Sequence, residues 1–350
     1  MKSSSRTPVR VGVAGIGFMG RTHMGIYLKN PRAELTAYCD YDPSRAAGNG
    51  GGGNLGAQQN LPIDPRKVRY YGRVEDLIAD PNVDLVDICL PTYVHAEYVV
   101  KALAAGKHVL CEKPLTVDLK EAGRIVRAAA RSRGFLMAAH CMRFWPEWSW
   151  LKDAVASRRY GKVHSAVFRR YASTPTWSAK NWVLQPKLSG SALFDLHIHD
   201  SDFVRYVFGQ PRQVFSVGNG GKASRDGIDH VVTTYLYKDP RLLVSAEGGW
   251  NADPTYGFTM RYTVVFDKAT ADFDIGREGR TLLLHKAGAS ESEAVKTPPG
   301  TGWDHEIDYF VNCITEGKAP KVITPADARD SVKLLHAELK SIRQRKPVRV

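Results

Sequence analysis

The sequence predicts an α/β protein in which a doubly wound parallel sheet is followed by an α+β domain with a large, mostly antiparallel open sheet. Three observations carry this expectation. Up to about residue 140, short apolar runs alternate with helical patterns, as strand–helix–strand units require when a parallel sheet is covered on both faces. A Gly15-x-Gly17-x-x-Gly20 set stands directly behind the first of those runs and in front of a helical pattern. Beyond residue 160, strand-like runs succeed one another across short Gly, Pro and Asp turns, which antiparallel neighbours allow and parallel ones do not.

Taken in order, residues 9–14, 35–39, 83–90, 109–111 and 135–140 read as strands, each a short apolar run. Residues 96–105 and 119–131 read as helices, because their apolar positions recur at helical spacing with charge on the other side. Residues 48–56 contain six glycines where such a unit normally places a helix. Glycine costs about 1 kcal/mol per helical position relative to alanine, so this segment reads as an exposed insertion without a chemical role. The later strands are 162–172, 213–218, 230–238, 242–250, 258–266, 271–275 and 281–285, interrupted by a helix at 192–208 and closed by helices at 304–315 and 325–345. The expected division is into two domains, 1–142 and 143–350.

Composition narrows the function classes. The chain has 350 residues, 43% hydrophobic and 24% charged, which suits two folded domains and argues against disorder as the main state. No run of about 18 apolar residues occurs, so no membrane span is expected. The opening Met-Lys-Ser-Ser-Ser-Arg-Thr-Pro has no apolar stretch, and a secretory signal is not expected either. Five scattered cysteines without CxxC spacing point to a reduced cytoplasm, with neither disulfide framework nor zinc ribbon. Forty-nine Lys and Arg against 36 Asp and Glu give +13, which favours anionic ligands. Lys333, Lys340, Arg343, Arg345, Lys346 and Arg349 near the end of the chain read as a solvated helix face and tail. No recognition motif accompanies them, and a nucleic acid partner is not expected.

The glycine set acquires meaning from its context. Gly15 permits a tight turn, Gly17 lets the backbone approach a pyrophosphate, and Gly20 lets helix and strand pack closely. The helix that begins at Phe18 and Met19 then offers free N–H groups and the positive end of its dipole to phosphates. Asp40 ends the second expected strand, 20 residues after Gly20, where a carboxylate accepts from both ribose hydroxyls and repels a 2′-phosphate. This is the dinucleotide fingerprint of a Rossmann domain, with NAD preferred over NADP. Arg45 is the nearby cation that could soften the preference.

Farther along stand Ile88-Cys-Leu-Pro91-Thr92-Tyr-Val-His95, Glu112-Lys113-Pro114, Arg143-Phe144-Trp145-Pro146 and Asp195-Leu-His197-Ile-His199-Asp200-Ser-Asp202. Together these resemble the glucose-fructose oxidoreductase and inositol dehydrogenase family, often called Gfo/Idh/MocA, from about Val9 to about Leu339. The resemblance implies a nicotinamide cofactor and sugar or polyol chemistry, with Lys113, Asp195 and His199 as the catalytic set. It implies cofactor contacts at Gly15, Gly17, Phe18, Met19, Gly20, Asp40, Pro91, Thr92, His95, Glu112 and Lys113. It implies substrate contacts at Lys113, Arg143, Asp195 and His199 in a substrate-binding and oligomerisation domain, and assembly as a homodimer or homotetramer; Trp182, just before the expected helix, offers a ring face suited to a sugar, the alternative being core packing. Two departures stand near the expected substrate pocket: His197 replaces the usual glycine between the acid and the histidine, and His140-Cys141-Met142 replaces the usual asparagine before Arg-Phe.

On a continuous helix Asp195 and His199, four apart, face the same way and can address one hydroxyl. Asp202 lies on that face too, as a possible orienter of the imidazole. His197 and His199, two apart, point about 200° from each other, so no metal is expected. His197 reads instead as a hydrogen-bonded residue lining or backing the pocket. The expected reaction is hydride transfer between the cofactor and a secondary alcohol or ketone of a sugar, polyol or sugar derivative. His199 serves as general base and Lys113 as electrostatic stabiliser, or the two with roles exchanged. The alternatives are glycoside cleavage or elimination through transient oxidation, and a sensing protein that keeps the cofactor without turnover.

Overall fold

The computed structural model describes residues 7–46, 61 and 63–350; the glycine-rich segment 48–56 lies outside the described residues. Contacts divide the chain into two compact units, one of residues 1–140 with 303–329 and one of residues 141–302 with 330–350. The stretch 303–329 therefore belongs with the first unit, although it lies between segments of the second unit in sequence.

In the first unit, the strands β1 (Val9–Ala14), β2 (Ala33–Cys39), β3 (Arg69–Tyr71), β4 (Leu85–Ile88), β5 (His108–Glu112) and β6 (Leu136–Ala139) pair in parallel in the order β3-β2-β1-β4-β5-β6. The helices are α1 (Phe18–Tyr27), α2 (Pro43–Ala46), α3 (Val74–Ala79), α4 (Thr92–Ala104) and α5 (Leu119–Arg131). All four residues of β4 are buried, as expected for a strand covered on both faces. The strand order reverses at β1, with β2 on one side and β4 on the other. Ligands of open α/β sheets bind beyond the carboxyl ends of the strands at such a switch point. The three-residue edge strand β3 and the short helix α3 were not foreseen, nor was the helix over Pro146–Ser157.

The second unit contains α6 (Pro146–Ser157), β7 (Val163–Ser173), α7 (Pro186–Ser189), α8 (Ser191–Asp195), α9 (Ile198–Phe208), β8 (Gln213–Asn219), β9 (His230–Leu236), β10 (Leu243–Ala252), β11 (Phe258–Phe266), β12 (Ala269–Asp274), β13 (Leu282–Lys286) and β14 (Glu293–Ala294). The chain closes with α10 (Gly302–Glu316), α11 (Pro325–Gln344) and β15 (Val348–Arg349). Among the described residues the sheet order is β14-β13-β12-β11-β7-β10-β9-β8-β15. Every pairing is antiparallel except β7 with β10. Burial alternates along β7 and β9, so one face of the sheet is covered and the other is open. Trp148 sits at the centre of the covered side, its ring meeting Phe203, Tyr262 and Phe273 edge-on and Phe168 at a tilt.

The expected single helix at 192–208 is two helices. Leu196 (φ −100°, ψ −52°) separates α8 from α9. At the break the His197 N–H reaches back five residues to the Ala192 carbonyl, and the His199 N–H reaches only three, to Leu196. An i,i+4 ladder therefore does not join Asp195 to His199.

Candidate active site

The glycine set behaves as its chemistry demands. Gly15 has φ +88°, and a Cβ there would meet the Cys89 carbonyl oxygen at 2.6 Å. A Cβ on Gly20 would meet the Gly15 oxygen at 1.8 Å, so the packing of α1 onto β1 is possible only for glycine. Gly17 differs, since among the described residues a Cβ there would have only the Arg45 guanidinium near it, at 3.4 Å. It caps α1 without a side-chain bond, and the first turn carries no acid. The open N-terminal amides and the space before Gly17 suit a pyrophosphate.

Asp40, at the carboxyl end of β2, is buried and accepts the Ile16 N–H on Oδ2 and the Asp42 N–H on Oδ1, each at 3.0 Å. Each carboxylate oxygen has two lone-pair positions, so one on each stays available for a ribose hydroxyl. The Arg45 Nη1 lies 3.7 Å from Asp40 Oδ2. The residues present thus fit a dinucleotide with an unphosphorylated ribose. Pro91 caps α4, and Thr92 is buried in its first turn. His95 is placed differently from expectation. Its Nδ1 lies 2.8 Å from the Pro114 carbonyl and its Nε2 2.7 Å from the Leu90 carbonyl, so both nitrogens face main chain. Its position braces the Glu112-Lys113-Pro114 turn against the end of β4.

Glu112 is also buried; its Oε2 accepts the Lys113 backbone N–H at 3.0 Å, and its Oε1 lies 3.5 Å from His23 Nε2. The other ring nitrogen of His23 lies 2.8 Å from Asp87 Oδ2, which also takes the Tyr27 hydroxyl at 2.9 Å. Burial alone would keep His23 neutral, yet the charges of Asp87 and Glu112 win and raise its pKa. Burial raises that of Glu112, opposed by His23 and Lys113. Nearby Glu306, on α10, is fully buried, and neither carboxylate oxygen has a hydrogen-bond partner among the described residues. Its pKa is pushed well above the ordinary carboxylate range by burial and then by the charges of Glu112 and Asp87. The Cys89 thiol, held protonated by burial, lies 3.5 Å from both Asp87 and His23.

In the second unit, Asp195 ends α8 and His199 lies in the first turn of α9. Two buried ion pairs pin α9. Asp202 receives Arg143 Nε at 2.8 Å and Nη2 at 2.7 Å and the Ser331 hydroxyl at 2.5 Å, while Asp200 receives Arg170 Nε at 2.9 Å. Arg143, expected to contact substrate, is thus engaged through one edge of its fork with Asp202. Asp202, expected to orient an imidazole, orients Arg143. Trp182 packs half-buried against Ala172, Val183, Ala192, Leu196 and Trp250, beside the break between the helices. His197 is fully buried, with Nε2 3.2 Å from Glu338 Oε2.

Sequence reasoning missed His23, Asp87, Glu306 and Glu338. A signal was present for two of them: Asp87 interrupts an apolar strand, and Glu338 falls in register with buried Leu334, Leu335 and Ser341 on α11.

Comparison with known proteins gives a consistent result. Residues 9–140 match a family described as "Oxidoreductase family, NAD-binding Rossmann fold", and residues 148–272 match "GFO/IDH/MocA C-terminal domain". The chain is 27% identical to myo-inositol 2-dehydrogenase of Thermotoga maritima over 98% of both chains. It is 25% identical to scyllo-inositol 2-dehydrogenase (NAD(+)) of Bacillus subtilis, over 98% of this chain and 96% of that one. A structure of levoglucosan dehydrogenase in complex with NADH and levoglucosan superimposes with a TM-score of 0.83 at 21% identity, covering 98% of this chain and all of the other.

Proposed function

We propose, from the premise that this chain belongs to the Gfo/Idh/MocA family of NAD-binding oxidoreductases, that its substrate is a secondary alcohol of a sugar, polyol or sugar derivative, or the matching ketone. The observation that carries the reading is the junction of a glycine turn that admits a pyrophosphate with an Asp40 carboxylate that keeps acceptor capacity for two ribose hydroxyls. The full-length likeness to inositol dehydrogenases supplies the substrate class.

When bound, the nicotinamide accepts or returns the hydride. The protein's task is alignment and proton management. Loss of hydride from a carbinol carbon leaves an oxygen that sheds its proton; His199, whose imidazole type titrates near neutrality, takes it. Lys113, as ammonium, stabilises the negative charge that develops on that oxygen, and Asp195 holds the hydroxyl. Arg143 acts indirectly, by fixing Asp202 and so α9. A negative Asp40 favours NAD over NADP.

The open sheet face also suits a second copy of the chain. Val217 and Val232 are paired neighbours there, 61% and 45% exposed, with Phe215, Val167 and Leu243 also exposed on it. An apolar stretch of this kind on a flat sheet marks an interface, and a homodimer or homotetramer built on it is our expectation. Among the described residues no helix is long and apolar enough to cross a membrane, and the five free thiols suit a reduced cytoplasm.

The test is to mix the protein with NAD and a panel of inositols, hexoses and anhydrosugars and follow NADH absorbance. Accumulation with at least one member is expected. A protein that binds NAD yet forms no NADH with any of them would turn the reading toward sensing or toward chemistry without net redox.

A further inference from the structure

We propose that His197, held by Glu338 and seated against Gly248, is a positioning residue that sets the direction in which Asp195 and His199 face their substrate. The inference rests on the catalytic roles given above to that pair.

In an unbroken helix the backbone ladder would fix the angle between the two side chains. Here the ladder is interrupted between them, and the interruption falls at Leu196 and His197. Main-chain bonds still cross the break, but in mixed register, so the buried contacts of His197 add to what holds the angle. Its Nε2 lies 3.2 Å from Glu338 Oε2. Glu338 is itself immobilised: Oε1 accepts the Ser201 hydroxyl at 3.0 Å and the Tyr235 hydroxyl at 3.1 Å, and Oε2 accepts the Thr233 hydroxyl at 3.3 Å. These three hydroxyls fix the carboxylate, and the His197 ring lies against its remaining side at ion-pair distance. In a dry interior such an acceptor has no other partner to turn to.

The geometry brackets the reacting residue. Ser201 stands two positions after His199 and His197 two before it, and both meet the same carboxylate. Glu338 thus clamps the chain on either side of His199. The third contact is Gly248 on β10, where a Cβ would stand 2.7 Å from His197 Nδ1 and 3.0 Å from its Cβ. The imidazole occupies the room that a side chain at 248 would need. Histidine at 197, glycine at 248 and glutamate at 338 consequently form one dependent set.

A packing role and a positioning role differ in what they disturb. Displacing a reacting group by about 1 Å can cost on the order of 10²-fold in rate without loss of fold. The experiment compares kcat, KM, NAD affinity and pH–rate profiles of His197→Leu, His197→Gln, Gly248→Ala, and Gly248→Ala combined with His197→Gly, each at a temperature where circular dichroism shows it folded. His199→Ala serves as the control for the underlying reading. We expect His197→Leu to lower kcat by about 10- to 100-fold, to displace the pH–rate limb and to leave NAD affinity unchanged. His197→Gln, whose amide N–H can still reach Glu338, recovers most of the rate. Gly248→Ala lowers kcat in the wild-type protein and has no effect in the His197→Gly background. Wild-type kcat and pH profile in His197→Leu, or in Gly248→Ala if the leucine variant does not fold, overturn the proposal, as does an equal effect of Gly248→Ala in both backgrounds. An inactive His199→Ala beside an unaffected His197→Leu removes only the positioning role; a fully active His199→Ala removes the catalytic reading and this inference with it.

Discussion

Around α9 in the second unit, each buried acid meets donors: Asp202 takes Arg143 and Ser331, Asp200 takes Arg170, and Glu338 takes three hydroxyls, with the His197 ring at ion-pair distance. Beneath the nucleotide end of the first unit the same residue types are arranged otherwise. Asp87, Glu112 and His23 share one network, while Glu306 lies within reach of its charges and has no hydrogen-bond partner among the described residues. Burying a charge costs several kcal/mol unless pairing offsets it. The second unit meets that cost with fixed donors, so its charge state is set by geometry. The first unit meets it with a proton, which Glu306 retains because it is fully buried, with the charges of Glu112 and Asp87 adding to the effect. Under the function proposed above α9 carries the general base, and fixed donors keep its position independent of a protonation change beneath it.

Four experiments break or sharpen this contrast. The largest effect is expected for Asp202→Ala, which leaves Arg143 buried without its carboxylate; a loss of about 3–5 kcal/mol in urea unfolding is expected, and a loss under 1 kcal/mol would deny the pair its structural role. Next comes Lys113→Ala, for which turnover should fall about 10²- to 10³-fold while NAD affinity in a fluorescence titration barely changes. A variant that keeps turnover but melts earlier would make Lys113 a structural cation instead. Third, NAD should bind at least tenfold tighter than NADP, about 1.4 kcal/mol, and Asp40→Ala should narrow that gap; equal affinities in the wild type would remove Asp40 as the discriminator.

The smallest effect is expected for Glu306→Gln, and its sign depends on pH. Glu306 keeps its proton in the folded protein above the ordinary carboxylate pKa of 4.5, whereas the unfolded chain releases it there. The folded state thus binds more protons, and stability falls as pH rises from that point until Glu306 ionises. Glutamine resembles the neutral acid and cannot ionise. The variant should match the wild type near pH 4.5 and become progressively more stable than it toward pH 9 in thermal melts. Parallel melting curves across that range would show that Glu306 is not held neutral, and the contrast between the units would lapse.

The glycine turn and the Asp40 position at the end of β2 were legible in the sequence because their signals are local. Gly15, Gly17 and Gly20 answer to sterics within one turn, and Asp40 is placed by the length of one helix and one strand. The alternation of apolar runs with helical patterns, and later the short turns between strands, likewise depend on neighbours in sequence, and they were enough for the two architectures. What the periodicity of 192–208 could not disclose is that the helix breaks at Leu196, since an i,i+4 pattern is compatible with both a continuous and an interrupted helix.

Tertiary structure alone decided the partners. Arg143 looked like a substrate ligand until Asp202, 59 positions away, engaged it. Glu338 reaches Ser201 across 137 positions and takes His197 in the same grasp, and Glu306 joins the first unit only because residues 303–329 pack back into it. A buried charge must find its complement wherever the fold brings one within about 3 Å. Propensity and spacing act over a few residues, so they determine which elements form, but the choice of complement waits until those elements have packed.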